Sequence, residues 1–186
     1  MSTTYSTTNQ VINRFDNASN EVQTFFTYLP SLVTDQYPWD ICLAYLFSKL
    51  EMAHHTSLYC GMTKLHRVNS EIAWIALQNE YMTRDSFKIL YKNVFEVDLP
   101  EGVYNVLDKA LRIRDKVMHG KKVAIIDKRD AVGLVIDYAD DFNQILFKLI
   151  KVRPFGGELR GFAGSMKKYD KKTSRLLIKG LGFKIS

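Results

Sequence analysis

PEGVYNVLDKALRIRDKVMHG, residues 100–120, reads as one amphipathic helix with its start and stop written into the chain. Pro100 suits a first turn, where a missing N–H costs nothing and the fixed φ is already helical. Val103, Val106, Leu107, Ala110 and Val117 recur at three- and four-residue spacing and form one apolar stripe. Gly120 predicts the stop, because glycine takes the left-handed conformation that closes a helix end without a Cβ penalty. At about 100° per residue Arg114 falls on the same stripe, so an always-charged guanidinium is aimed toward the buried side. That placement is costly unless a carboxylate or a polar cleft receives it.

The same periodicity extends in both directions. A first helix is predicted over 11–29, with Val11, Phe15, Val22, Phe25 and Phe26 inward and Pro30 as its stop. A long central helix over 38–60 carries Trp39, Leu43, Leu46, Phe47, Leu50 and Ala53, with Gly61 ending it. Ser70 and Thr83 introduce two shorter helices, and the turn Asp98-Leu99-Pro100 leads into the opening stretch. Asp127 caps a last long helix to Ile150, and 173–178 offers another short one. No alternating strand and no internal repeat is visible. The predicted architecture is all-α: an antiparallel helical bundle of about five to six helices with an irregular basic C-terminal tail. Residues 1–10 read as a flexible N-terminus, 11–150 as the helical domain, and 151–186 as a basic extension packed on the same domain.

Composition agrees with a folded helical protein. Of 186 residues, 46% are hydrophobic and 25% charged, which excludes wholesale disorder. The most apolar run, 131–150, is interrupted by Asp137, Asp140 and Asp141, too polar for a membrane span. No positively charged and then apolar leader opens the chain, so the cytoplasm is the expected compartment, without a membrane partner. Cys42 and Cys60 lack metal-ligand spacing and read as small core residues without a disulfide. The net charge of +6 belongs to the tail: ten basic residues from Lys151 onward face only Glu158 and Asp170, a local excess of +8.

Arg114 and His119 are the residues with chemistry to interrogate. An anion clamp and the side chain that titrates near neutrality suffice to move protons beside a phosphate. Asp115 lies four residues before His119, the spacing that lets a carboxylate hold one ring nitrogen. On a continuing helix Arg114 and His119 diverge by about 140°, and a stop at Gly120 would let the last turn unwind and bring them together. Glu51, one turn after Phe47, is the predicted carboxylate for Arg114. An arginine and a histidine five residues apart also fit a purely structural ion pair, and the residues alone leave that alternative open.

The pattern Arg114-Asp115-Lys116-Val117-Met118-His119, at the end of a late helix in an all-helical chain with a further long helix behind it, resembles the HEPN superfamily. In that family an Arg, a polar residue and, after three more residues, a His form the active site of metal-independent endoribonucleases. The resemblance implies RNA as substrate, attack by the 2′-hydroxyl, a 2′,3′-cyclic phosphate product, no cofactor and no metal. It assigns His119 to proton transfer and Arg114 to charge neutralisation; the helical spacing, not the resemblance, adds Asp115 as orienter and Glu51 in support. It also implies a homodimer that brings two motifs to one cleft, and a toxin or anti-phage role with an antitoxin protein as partner. Many such toxins carry a tyrosine two positions after the histidine; Lys121 stands there instead. Some members of the superfamily are non-catalytic interaction modules.

Candidate nucleic-acid contacts are Lys116, Lys121 and Lys122 beside the motif and Lys167, Lys168, Lys171 and Lys172 in the tail. Phe155, Phe162, Tyr169 and Phe183 are interleaved with the tail's basic residues. They read either as stacking partners for bases, which would make the chain an RNA-binding regulator, or as anchors holding the tail on the bundle. His54 and His55, with Glu51, lack a third ligand for a metal, and His66 reads as a surface residue. The glycine-rich stretch 156–164 has no Lys-Ser or Lys-Thr for a phosphate loop, so no nucleotide is assigned to it.

Overall fold

The computed structural model describes residues 4–156 and 167–185, and every regular element among them is a helix. In chain order the described helices are α1 (Thr8–Asp16), α2 (Asn20–Phe25), α3 (Leu29–Thr34), α4 (Trp39–Lys64), α5 (Ser70–Gln78), α6 (Arg84–Phe95), α7 (Glu101–Met118), α8 (Ile125–Ile150) and α9 (Lys171–Gly180). No helix of the described residues is long and apolar enough to cross a membrane.

Several sequence signals worked differently from expectation. The single helix expected over 11–29 is α1, α2 and the start of α3, because the chain leaves helical geometry at Asn17–Ser19 and again after Phe26. Ser19 turns its N–H and hydroxyl to Asp140 Oδ1 (3.1 and 2.7 Å). Pro30 does not stop a helix; it occupies the first turn of α3, where its missing N–H has no intrahelical partner to lose. Gly61 does not stop α4 either. It lies inside the helix, where a Cβ would come within 2.3 Å of Val94 Cγ1 and 2.8 Å of Phe95 Cε1, so its role is to admit α6. Asp127, expected as a cap, lies within the first turn of α8, where a negative charge still suits the helix dipole.

The chain divides into two compact units, with the division falling inside α4 after Leu50 and inside α8 after Gln144. The first unit holds the residues up to Leu50, Pro100–Gln144 and the stretch from Phe155. Its core centres on Phe155, whose ring lies between 5.4 and 6.1 Å, centroid to centroid, from Phe25, Phe26, Tyr138 and Phe142. Buried Asn143 satisfies both backbone groups of Phe155, donating to its carbonyl and accepting from its N–H (2.9 Å each). The backbone of Phe155 is thereby buried with both its polar groups paired.

Over its described residues the N-terminus packs against α8. Tyr5 is buried against Gly133 of α8, its N–H donates to Asp130 Oδ1 (2.8 Å) and its hydroxyl donates to the Asp137 carboxylate. Arg14 pairs with both Asp137 and Asp140, and a capping box of Thr7 and Gln10 starts α1. Crowding has its cost in this cluster. Burial, and then the charges of Asp137 and Asp140, raise the Asp141 carboxyl above the usual carboxylate range.

The second unit holds Glu51–Leu99, Ile145–Pro154 and the described part of the C-terminal segment. Here α9 packs on α5 through buried Ser174 and Ile178, and the Asp170 carboxylate caps it by accepting from the N–H groups of Lys172 and Thr173. His54 is buried with its ring stacked on Phe87, centroids 3.7 Å apart. His66, expected on the surface, is half-buried with Nε2 2.7 Å from the Val94 carbonyl oxygen, so it closes the end of α6. Cys42 and Cys60 are buried free thiols, Cys42 in the first unit and Cys60 in the second.

Candidate active site

Helix α7 spans Glu101–Met118, with His119 as its C-cap and Pro100 as its N-cap, one residue before the first turn expected for the proline. Leu107 and Ala110 are its buried residues. The flanking apolar residues Val103, Val106, Leu111, Ile113 and Val117 are half-covered, and Met118 is 59% exposed. An apolar arc spanning about half the helix circumference is therefore sheltered only along its centre line.

The helix ends as glycine chemistry dictates. Gly120 has φ +68°, its N–H donates to the Val117 carbonyl (2.9 Å), and the Lys121 N–H donates to the Lys116 carbonyl (2.9 Å). This pair of bonds is a Schellman cap, which satisfies two carbonyls that a bare helix end would leave open. The His119 N–H still donates to the Asp115 carbonyl (3.0 Å), and its backbone stays near helical at φ −91°, ψ 16°. The stop comes where expected, and because His119 keeps its helical N–H bond, regular helix geometry would set its Cα–Cβ bond about 140° round from that of Arg114.

Arg114 is half-buried. Its guanidinium lies 5.5 Å from the centroid of the Phe47 ring of α4, a cation–π contact that fixes the side chain over an apolar floor. The carboxylate that meets it is Asp115, with Nη1 donating to Oδ1 at 3.0 Å. Both side chains are about 40% exposed, so the pair is worth at most about 1 kcal/mol and yields readily to a stronger anion. Asp115 thus turns to Arg114, and the ring of His119 is exposed with no hydrogen bond or ion pair among the described residues. The tautomer-fixing bond expected between them is not made.

Glu51, expected on the apolar side of α4, is exposed and belongs to the second unit. It lies about 80° round the axis from Leu43, at the rim of the buried arc, and apolar residues on most sides of α4 blur the stripe that was to place it. Phe47, which the sequence offered only as a core residue, is the neighbour that positions Arg114.

Lys116, Lys121 and Lys122 are exposed around the end of α7. In the tail Lys167 and Lys172 are exposed, Lys171 pairs with Glu71 (2.6 Å), and Lys168 donates to the Thr63 carbonyl. Phe155 and Phe183 are buried, so these two tail aromatics act as anchors, whereas Tyr169 is 41% exposed. The glycine-rich residues 157–164, with Phe162, lie outside the described residues. The arrangement at the end of α7 can present an exchangeable proton on His119, a fixed guanidinium and three exposed lysines to a polyanion. Compared with known proteins, the chain matches no family model, no curated protein and no solved structure.

Proposed function

We propose that the chain is a metal-independent endoribonuclease of HEPN type, with Arg114 and His119 as its reacting pair, folded as an antiparallel helical bundle. The observation that carries this reading is the end of α7: a guanidinium seated on Phe47 with only a labile carboxylate partner, and a solvent-facing imidazole one turn on. RNA supplies its own nucleophile, so the protein needs only to move protons and hold charge. His119 takes the 2′-hydroxyl proton as the oxygen attacks phosphorus, Arg114 exchanges Asp115 for the phosphorane oxygens, to which it donates, and the 5′-oxygen departs with a proton given by a second acid, the His119 of a second copy. A 2′,3′-cyclic phosphate and a 5′-hydroxyl remain.

The second proton transfer and the 140° divergence both point to a second copy of the chain. The half-covered flanks of α7 supply a surface for it, and two α7 ends at one two-fold interface would set one His119 opposite the other chain's Arg114. The same half-covered arc also favours a non-catalytic interaction module. Purified full-length chain incubated with RNA in excess EDTA separates the two. The ribonuclease reading expects cleavage that falls by 10²- to 10⁴-fold in His119→Ala and comparably in Arg114→Ala, with far-UV circular dichroism unchanged. No cleavage by the wild-type chain, or cleavage indifferent to either substitution, sinks it.

A further inference from the structure

In the second unit the segment entering α9 is tied to the end of α4 by cations that donate to main-chain carbonyls. Lys168 Nζ donates to the Thr63 carbonyl in the last turn of α4, and Lys64 Nζ donates to the Ile150 carbonyl at the end of α8 (3.0 Å). Arg67 donates from Nε and Nη2 to the Lys167 carbonyl (2.9 and 2.8 Å), and the Tyr169 N–H donates back to the Arg67 carbonyl (2.9 Å). Arg67 holds φ +55°, a left-handed conformation that non-glycine residues adopt at a cost. Its guanidinium lies 5.0 Å from the centroid of the half-exposed Tyr169 ring.

Helix dipoles account for part of this cluster. Thr63 lies at the C-terminal end of α4, equivalent to about half a negative charge, which offsets only part of the Lys168 ammonium that faces it. Neither Arg67 nor Lys168 meets a carboxylate among the described residues. Arg67 Nη1 makes no protein hydrogen bond among the described residues. Burial first, and then the charges of Arg67 and Lys64, lower the Lys168 ammonium below its usual value, as closely set like charges require. Exposed Lys172 and Lys179, with half-buried Arg175 between them, continue the basic track along one face of α9. A single exposed leucine on that helix, Leu176, gives it little to insert into a lipid surface.

We propose that Lys64, Arg67, Lys168 and Tyr169 form a binding site for single-stranded RNA, with the cations receiving backbone phosphates and the Tyr169 ring stacking on a base. An exposed ring needs an unstacked base, which a duplex does not offer. The inference rests on the reading above only for RNA as the polyanion, and it requires no cleavage.

The test is fluorescence anisotropy of a short 5′-fluorescein oligouridine with the full-length His119→Ala chain in EDTA, titrated over a range of salt. Each cation removed should lower the log–log salt slope by about 0.7, so Arg67→Ala with Lys168→Ala lowers it by about 1.4. Tyr169→Ser, which removes a surface ring, should weaken binding by about fivefold or more and leave the slope unchanged. An unchanged slope in a folded double variant overturns the site, as does binding to anionic vesicles without binding to oligouridine. Should the double variant lose its helical signal, Tyr169→Ser decides alone, and unchanged affinity there overturns the site. Binding that follows these variants in a chain that never cleaves RNA sustains the site and sinks only the ribonuclease reading. Cleavage by a wild-type chain whose variants bind normally does the reverse.

Discussion

Gly133→Ala tests whether the N-terminal residues are part of the packed first unit. A Cβ at position 133 would meet Tyr5 Cδ2, Cγ and Cε2 at 2.0, 2.3 and 2.6 Å, three atoms of a rigid ring. Relief therefore means expelling Tyr5, and with it the bonds from Tyr5 N–H to Asp130 and from its hydroxyl to Asp137. Loss of a buried aromatic costs about 3–5 kcal/mol, while glycine to alanine inside a helix returns about 0.5–1 kcal/mol, leaving a net loss of about 2–4 kcal/mol. Urea unfolding followed by far-UV circular dichroism measures it. The cycle with Tyr5→Ala sharpens the expectation. Once the ring is gone, Gly133→Ala keeps only its helical gain, so the double variant should be about 0.5–1 kcal/mol more stable than Tyr5→Ala alone. A Gly133→Ala chain within about 0.5 kcal/mol of wild type, or additive effects in the cycle, refutes the contact.

Gly61→Ala should cost about 1–3 kcal/mol in the same assay, because Val94 and Phe95 must move, and an unchanged midpoint would show that α6 does not pack there. Gly120→Ala meets no atom within 4 Å and pays only for its left-handed φ, about 1 kcal/mol, so a larger loss than at Gly61 contradicts the two environments. His54 is held neutral by burial and by the charge of His55, its pKa lowered from 6.5 to about 3. The unfolded chain gains that proton below about pH 6.5 and the native chain does not, so the histidine's contribution is intact above 6.5 and falls by up to about 1.4 kcal/mol per unit as pH drops toward 3. His54→Phe should flatten that part of the stability profile, and a slope identical to wild type disproves the burial argument.

Local signals in the chain were legible where one residue decides one turn. Pro100 and Gly120 bracketed α7, and the Schellman cap formed at the predicted glycine. Pro30 and Gly61 carry the same letters but took other roles: one sits inside a first turn, the other under a neighbouring helix, and only tertiary contacts distinguish these from stops. The docking of Tyr5 was illegible because it depends on an absent side chain far along the chain, at Gly133. At the candidate site the helix stripe placed Arg114 correctly on the inner side of α7, but Glu51 was assigned from a helix apolar on most sides, where a stripe does not define the buried edge. The cluster at Lys64, Arg67 and Lys168 joins residues about a hundred positions apart, and the chain showed only its tail half.

The most direct measurement of the central claim is the chemistry of the RNA ends left by the wild-type chain. Mass spectrometry of a defined oligoribonucleotide after incubation in excess EDTA should show fragments ending in a 2′,3′-cyclic phosphate paired with fragments bearing a 5′-hydroxyl. Fragments with 3′-hydroxyl and 5′-phosphate ends, cleavage that appears only when a divalent metal is restored, or intact RNA would contradict the roles given to Arg114 and His119.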